Sequence, residues 1–496
     1  MARAPISTQA LRNFASIVFG TGAGALNTLI VLPWAFSNNL ADWGLLRIIT
    51  AWAMLFAPIA LFGASTTIVR FSPRFNPGDQ ARLAGVMALP AMGLLGIAAG
   101  LLALAPNWTA QTLGVDSTVQ IWWVYALTVL LSVQGFLGGY LASRLKTSVT
   151  TFVKETFMKL GYLGLALGLG FGLFTFQSFL VFYVGMYSVA TAILVFQAFA
   201  NRLKLRWSGF PKATRKEILV YAGGIILAGS ATSVVMQIDV LMVGRILGLD
   251  LVPVLTVGLF MGAVTMMPEK AWAPILRPLV ADAFTNKDTK KLLDIHRRTH
   301  HVLMLGCGWI LVTVMAIMPQ IDAILPIEFR GLAPVVLAAG LAKWVLGVGG
   351  SSRYILAQSP HYKSVIWINW GVVVAVVPLN LWFMHPSGLG WGIFGAVAAT
   401  LAVVVGAEIV RQILLFRYFN IRTFTRRSLG IAILLGSVGS AGWCFNPNFP
   451  SLGNLNFWAA IALKSILVTA LIVGASAVFK LAPELERMLT KKFGRR

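Results

Sequence analysis

The chain has 496 residues, 58% of them hydrophobic and only 11% charged, with a formal net charge of +24 at pH 7. A mean hydropathy of +0.80 excludes an ordinary soluble globular domain and makes the chain a polytopic membrane protein. So large a basic surplus would also suit nucleic acid, but the cations are scattered over many short loops instead of one patch or helix, and no nucleic-acid partner is expected. The two cysteines, Cys307 and Cys444, are too few and too far apart for a disulfide framework or a zinc site, and are read as small packing residues.

The start, MARAPISTQALRNF, resembles a signal in its charge pattern. The apolar run behind it is long and lacks a small-residue cleavage site, so a retained first span is expected. About 20 apolar residues cross about 30 Å of hydrocarbon. The first group of such stretches is 13–36, 44–69, 83–105, 118–141, 149–172 and 178–200. The second is 218–244, 253–278, 299–320, 331–354, 363–383, 391–416, 428–445 and 457–479. Lipid cannot satisfy exposed backbone groups, and runs of this length do so internally as helices. The expected fold is therefore all-α, about 14 transmembrane helices in two six-helix lobes plus two appended C-terminal helices.

The most polar gap, NRLKLRWSGFPKATRKE at 201–217, marks the lobe boundary. Residues 1–205 would form the N-terminal lobe, 206–427 the C-terminal lobe, and 428–496 two further spans with a basic tail. The halves echo each other. Arg70 closing span 2 and Arg277 closing span 8 stand 207 positions apart, and GGYLASRLKTS resembles GGSSRYILAQSPHYKS with Gly139 and Gly350 211 apart. An even number of spans per lobe keeps both in one orientation, with the symmetry axis along the membrane normal. Most of the forty Lys and Arg fall in alternate gaps, whereas the opposite gaps hold only Arg47, Arg245 and Arg330. The positive-inside bias then places both termini in the cytoplasm. The tail LAPELERMLTKKFGRR reads as an interfacial anchor. All outer loops are too short to hold a catalytic domain.

Six cations lie within spans: Lys154, Lys159, Lys270, Lys343, Arg411 and Lys464. An ionised side chain at mid-bilayer costs at least about 2.5–3.5 kcal/mol, so such groups face a cavity or a partner. Lys154 and Lys464 are near enough to span ends to snorkel. Lys159 can pair with Glu155 one turn back, and Glu408 with Arg411 three residues on as a structural ion pair. Lys343 has no acid within a turn on its own span. In MMPEKAWAPILRP, Pro268 and Pro274 should kink span 8 beside Lys270. Glu269 points about 100° away from Lys270 around the helix, and Arg277 shares the Lys270 face at the span's end. Lys270, Lys343, Arg277, Lys159 and Arg47 thus form a candidate cationic path for an anionic substrate. The alternative is a set of separate buried ion pairs and snorkelled ends. Asp239, in MQIDVLMVGRILG, and Glu269 are candidates for ion coupling, Asp239 alternatively for pairing with Arg245 or Arg47. His296, His300 and His301 stand in a highly basic gap that disfavours a metal cation, and are expected on a solvated interfacial helix. No metal site and no cofactor are expected. Gly164, Gly168 and Gly172 should let a second helix approach span 5 closely.

The stretches MQIDVLMVGRILG, APILRPLVADAF and GLGWGIFGAVAATLAVVVGAEIVRQILLFRYF, on this topology, resemble the polysaccharide-exporting, Wzx-type flippases of the multidrug/oligosaccharidyl-lipid/polysaccharide (MOP) transporter superfamily. The resemblance implies two helical lobes around a cavity and no enzymatic activity. It implies a cargo of undecaprenyl-pyrophosphate-linked oligosaccharide, flipped from the cytoplasmic to the outer leaflet by alternating access for surface polysaccharide synthesis. The bacterial inner membrane, membrane lipids and the polysaccharide polymerase machinery follow as setting and partners. The lipid II flippases of the superfamily typically carry an arginine in the first span, but 13–36 has no charge there. Drug exporters often place an acid in the first lobe's core, where only Glu155 stands. A membrane-embedded polymerase or acyltransferase would be the reading from another class; short outer loops and the lack of a His or paired carboxylate deep in a span speak against it.

Overall fold

The computed structural model describes residues 16, 19–113, 118–207, 209–286, 288–445, 447 and 456–478. Arg3, Arg12, Lys287 and the basic tail from 479 onward lie outside these residues, as does most of the loop 445–456. Among the described residues the secondary structure is helical with no strand. Among these residues ten helices are long and apolar enough to cross a membrane, or eleven if one bent pair counts as a single span. The protein is therefore an all-α, multi-pass membrane protein, as its hydropathy requires.

The chain divides into two compact units, Met1–Pro253 and Val254–Arg496. The division falls one helix after the polar 201–217 linker. The first unit opens with a π-helical turn, Asn27–Val31. It continues through α1 (Leu40–Ala60), α2 (Ala64–Phe71), α3 (Pro77–Leu104), α4 (Thr118–Ser143), α5 (Met158–Gly170), α6 (Phe176–Ala200) and α7 (Lys212–Ile246). Helix α7 packs on α1 and α2, which places it in this unit. Helix α8 (Leu251–Ala263) crosses the division. The second unit continues with α9 (Met267–Thr285), α10 (Thr289–Ile324), α11 (Ala333–Val348), α12 (Gly350–Gln358), α13 (Tyr362–Met384), α14 (Gly392–Phe419), α15 (Arg426–Cys444) and α16 (Asn456–Val478).

Three expected spans fall short of the length and hydropathy criterion. The 13–36 stretch is only partly within the described residues. The 149–172 stretch is divided by a π-helical segment, Phe152–Phe157, ahead of α5. Helix α15 is diluted by Arg426, Arg427 and several Gly and Ser.

Both units break a helix at the equivalent place. In the first, α1 gives way to α2 through Phe62 and Gly63, both with positive φ; glycine adopts this backbone freely and phenylalanine does not. In the second, a 3-10 turn at Val264–Met266 separates α8 from α9, whose first turn holds Pro268. Proline is tolerated there because the first N–H groups of a helix have no partner within it. The sequence-derived kink in span 8 is this interruption.

Two packing expectations are corrected. The Gly164, Gly168, Gly172 spacing does not form one approach face: among the described residues a Cβ at Gly164 or Gly172 would meet nothing within 4 Å. The close approaches on α5 are at Gly161, where a Cβ would lie 2.5 Å from Met186 Sδ, at Gly168, 2.6 Å from the Phe174 ring in the turn that follows, and at Gly170, 2.2 Å from the Trp34 ring. Lys464 does not snorkel. Its side chain is 1% exposed, and Nζ donates to Ala316 O at 2.8 Å. Pro319 lies within α10 three residues on; its missing N–H leaves the neighbouring Met315 carbonyl, not that of Ala316, without its helical donor.

The α8–α11 contact in the second unit is set by glycine. A Cβ at Gly262 would lie 2.5 Å from Ala339 Cβ and 2.8 Å from Gly340 N. Gly262→Val should therefore destabilise the protein by about 1–3 kcal/mol through overpacking, read as a lower unfolding midpoint in detergent. Gly164→Ala, into open space, should leave that midpoint within error.

Candidate functional site

In the first unit, Arg47 is half-buried on α1, within electrostatic reach of Tyr162 and Tyr187. Those tyrosines belong to an aromatic cluster. The Tyr162 ring meets Tyr183 edge-on at 5.4 Å, and the Tyr183 and Tyr187 hydroxyls stand 3.4 Å apart. Lys159 donates to Glu155 Oε2 at 2.7 Å, with both side chains about one-third exposed. Glu155 lies in the π-helical segment, and Lys159 packs beneath Gly24, whose Cβ would stand 3.5 Å from Lys159 Cδ. Asp239 is buried on α7, while Arg245 donates to Gln111 O at 3.0 Å.

The second unit holds a denser arrangement around a bend. Helices α11 and α12 meet at 46° across Gly349 and Gly350. Two buried carboxylates press on these glycines. A Cβ at Gly349 would lie 2.3 Å from Glu408 Cδ, and one at Gly350 3.3 Å from Glu269 Cγ. No side chain fits at Gly349 while Glu408 keeps its place.

Each carboxylate is held by groups from the bend itself. Arg353 Nη2 donates to Glu269 Oε1 at 3.4 Å and, back across the bend, to Leu346 O at 2.8 Å. Tyr354 donates its hydroxyl to Glu269 Oε1 at 3.1 Å. Arg277 reaches that hydroxyl at 3.4 Å and stacks over the Tyr354 ring at 5.1 Å. On the other side, Ser352 Oγ lies 2.9 Å from Glu408 Oε1 and 2.6 Å from Gly349 O. Gln412 Nε2 donates to Glu408 Oε1 at 2.5 Å, and Arg411 Nη1 to Glu408 Oε2 at 3.1 Å. Arg411 is 4% exposed and Glu408 8%, so each charge depends on the other.

The network runs on into the histidines. Gln412 Oε1 accepts from Thr423, whose hydroxyl stands 2.8 Å from His296 Nε2; His296 Nδ1 lies 3.0 Å from Ser351 Oγ. His300 pairs with Ser428 at 3.1 Å and His301 with Thr425 at 2.9 Å. Thr425 and Ser428 also form the capping box of α15. The expected solvated helix is thus overturned: all three rings are buried. The physical reason is that α10, at 36 residues, outruns a bilayer's thickness, and its extra turns are covered by α12 and the start of α15.

Of the expected site residues, Lys270 is exposed on α9 beside buried Glu269 and forms no ion pair among the described residues. Lys343 is half-buried on α11. Lys270, Lys343 and Arg277 belong to the second unit, and Arg47 and Lys159 to the first. Arg353 and Tyr354 were missed because GGSSRY was read only as a repeat echo and Arg353 only as a topology marker. The available signal was an arginine directly after a double glycine, opposite an unpaired span glutamate.

No family model matches the chain, and no curated protein matches it. Solved structures do. The lipid II flippase MurJ, in an inward closed conformation, superposes with a TM-score of 0.65 at 12% identity, covering 95% of this chain and 99% of that one. This chain has the fold of the MOP-superfamily transporters. An inward-facing multidrug resistance MATE transporter of the MOP superfamily gives 0.60 at 13% identity over 86% of this chain and 99% of that one. A Vibrio cholerae MATE transporter, VcmN, gives 0.57 at 14% identity over 83% and 98%.

Removing one partner of the Glu408–Arg411 pair strands a buried charge. Glu408→Ala should cost about 3–5 kcal/mol of stability. Asp294→Ala, which breaks a pair with both side chains more than half exposed, should cost under about 1 kcal/mol. Thermal unfolding of the two purified variants in one detergent checks the ordering.

Proposed function

We propose that the protein is a flippase that moves undecaprenyl-pyrophosphate-linked oligosaccharide from the cytoplasmic to the outer leaflet for surface polysaccharide synthesis, and not an enzyme. The observation that carries this reading is the cationic surplus around Glu269. Arg353 binds this carboxylate and Arg277 reaches it through the Tyr354 hydroxyl, with Lys270 exposed on the same helix, which suits an anionic headgroup and repels a cationic drug. Lys343 on α11 of the same unit is proposed as a further headgroup contact, and Arg47 and Lys159 as the cations that the first unit contributes. Asp239 and Glu269 are the carboxylates proposed for ion coupling.

A transporter fold shared with a lipid II flippase and with drug exporters supports a lipid-linked cargo without choosing among branches. The absence of a charge in 13–36 favours the polysaccharide branch over lipid II. The basic bias of alternate loops supports the inner membrane with both termini in the cytoplasm. Membrane lipids and the polysaccharide polymerase machinery are the partners this cargo brings. The proposed lobes are 1–205 and 206–427, with 428–496 appended.

An anionic headgroup leaving a negative interior gains about 2.3 kcal/mol per charge per 100 mV. The membrane potential therefore biases export by itself.

Reconstituted protein with a defined undecaprenyl-pyrophosphate-linked oligosaccharide tests the function. Flipping should be lost on Lys270→Ala and weakened on Lys343→Ala by about tenfold or more, as expected for a desolvated charge contact. Full transport by both variants would sink the cationic path. An imposed potential, negative at the face of origin, should accelerate flipping without an ion gradient; strict dependence on protons or sodium would instead promote Asp239.

A further inference from the structure

The bend between α11 and α12 carries two guanidinium groups on a single carboxylate. Arg353 binds Glu269 directly, and Arg277 reaches it through the Tyr354 hydroxyl. Two guanidinium groups thus converge on one carboxylate, and the local charge is unbalanced. Arg353 Nε is buried with no hydrogen-bond partner among the described residues, although a buried donor left unpaired is destabilising. Arg353 is also the one side chain that ties Glu269 to Leu346 O across the bend. A guanidinium presents its donors as a planar fork that matches a phosphate edge, and a tyrosine hydroxyl adds a further donor.

From this geometry we propose that Arg353, Arg277 and Tyr354 form a binding site for a diphosphate-class anion, in which Glu269 is the resident anion that the ligand displaces. The inference rests on the cargo reading above and deepens it, by naming the residues that grip the headgroup and the element that responds. The incoming diphosphate takes the Arg353 fork and the Tyr354 hydroxyl. Glu269, deprived of both, no longer holds Arg353 against Leu346 O, and the Gly349–Gly350 bend loses one of its two clamps. The other clamp, Ser352 with Glu408 and Arg411, stays in place. Occupancy of the site is thereby converted into freedom at one defined point of the second unit.

The test uses the purified full-length protein in detergent, with inorganic pyrophosphate as the probe and calorimetry as the readout. Wild type should bind pyrophosphate. Glu269→Gln, which keeps the shape and removes the competing charge, should bind it about tenfold more tightly, and Arg353→Gln and Arg277→Gln about tenfold or more weakly, the worth of one charge-assisted hydrogen bond. Hydrogen exchange on wild type needs no substitution: the amides of 349–354 should exchange faster with pyrophosphate bound. No binding by wild type, unchanged or weaker binding by Glu269→Gln, unchanged binding by Arg353→Gln, or unaltered exchange at 349–354 would each overturn the proposal. Flipping of the lipid-linked oligosaccharide, measured on the same preparation, reports on the cargo separately. Pyrophosphate binding with the expected variant pattern but no flipping would reject the cargo and leave the site.

Discussion

The close approach of Glu408 to Gly349 is the contact on which the second unit's polar interior depends. A carboxylate buried to 8% exposure is tolerated only when paired and hydrogen-bonded on most of its lone pairs. Arg411, Gln412 and Ser352 supply those partners. Because Ser352 lies in the first turn of α12, satisfying the charge also fixes the direction in which the chain leaves α11. The same partners lead through Gln412 and Thr423 to His296 and back to Ser351 on α12. Charge satisfaction and helix direction are therefore one problem with one solution. Only glycine at 349 leaves room for it.

The first unit uses the same plan with a different chemistry. There Gly139 presses on Ser65, its Cβ position 2.5 Å from the Ser65 Cα, just past the break between α1 and α2. In the second unit Gly350 presses on Glu269, just past the break between α8 and α9. Arg70 stacks over Tyr221 at 4.2 Å, as Arg277 stacks over Tyr354 at 5.1 Å. The repeated parts are a broken helix, a glycine against it and an arginine on a tyrosine ring. What differs is that a serine in one unit is a buried glutamate in the other. This asymmetry concentrates the ionisable network in the second unit, and it is there that an anionic ligand has cations to compete for.

Much of this was legible in the sequence, for local reasons. Apolar runs mark helices because lipid offers no other solution for the backbone. The pairs Glu155–Lys159 and Glu408–Arg411 follow from one-turn spacing, and Pro268 announced the interruption before α9. The failures involve side chains whose partners are distant in sequence. Lys464 was expected to reach for the interface, yet its partner is Ala316 O, 148 positions away in sequence. The histidines were read against the charge of their own loop, while their burial depends on hydroxyls more than 120 residues away. Arg353 looked like one more topology-setting cation, because nothing local says that Glu269 lies opposite. The stripe Gly164, Gly168, Gly172 shows the converse error: a regular spacing that does not form one approach face.

Lys270 is proposed to face an aqueous path that admits an anionic lipid headgroup, and not the lipid tails. Reactivity at that position with a membrane-impermeant, negatively charged thiol reagent measures it most directly, using Lys270→Cys in a Cys307→Ala, Cys444→Ala background reconstituted in vesicles. The account predicts rapid labelling that slows when undecaprenyl-pyrophosphate-linked oligosaccharide is present and does not slow with undecaprenol alone. Failure to label, or labelling indifferent to the pyrophosphate-linked lipid, would contradict it.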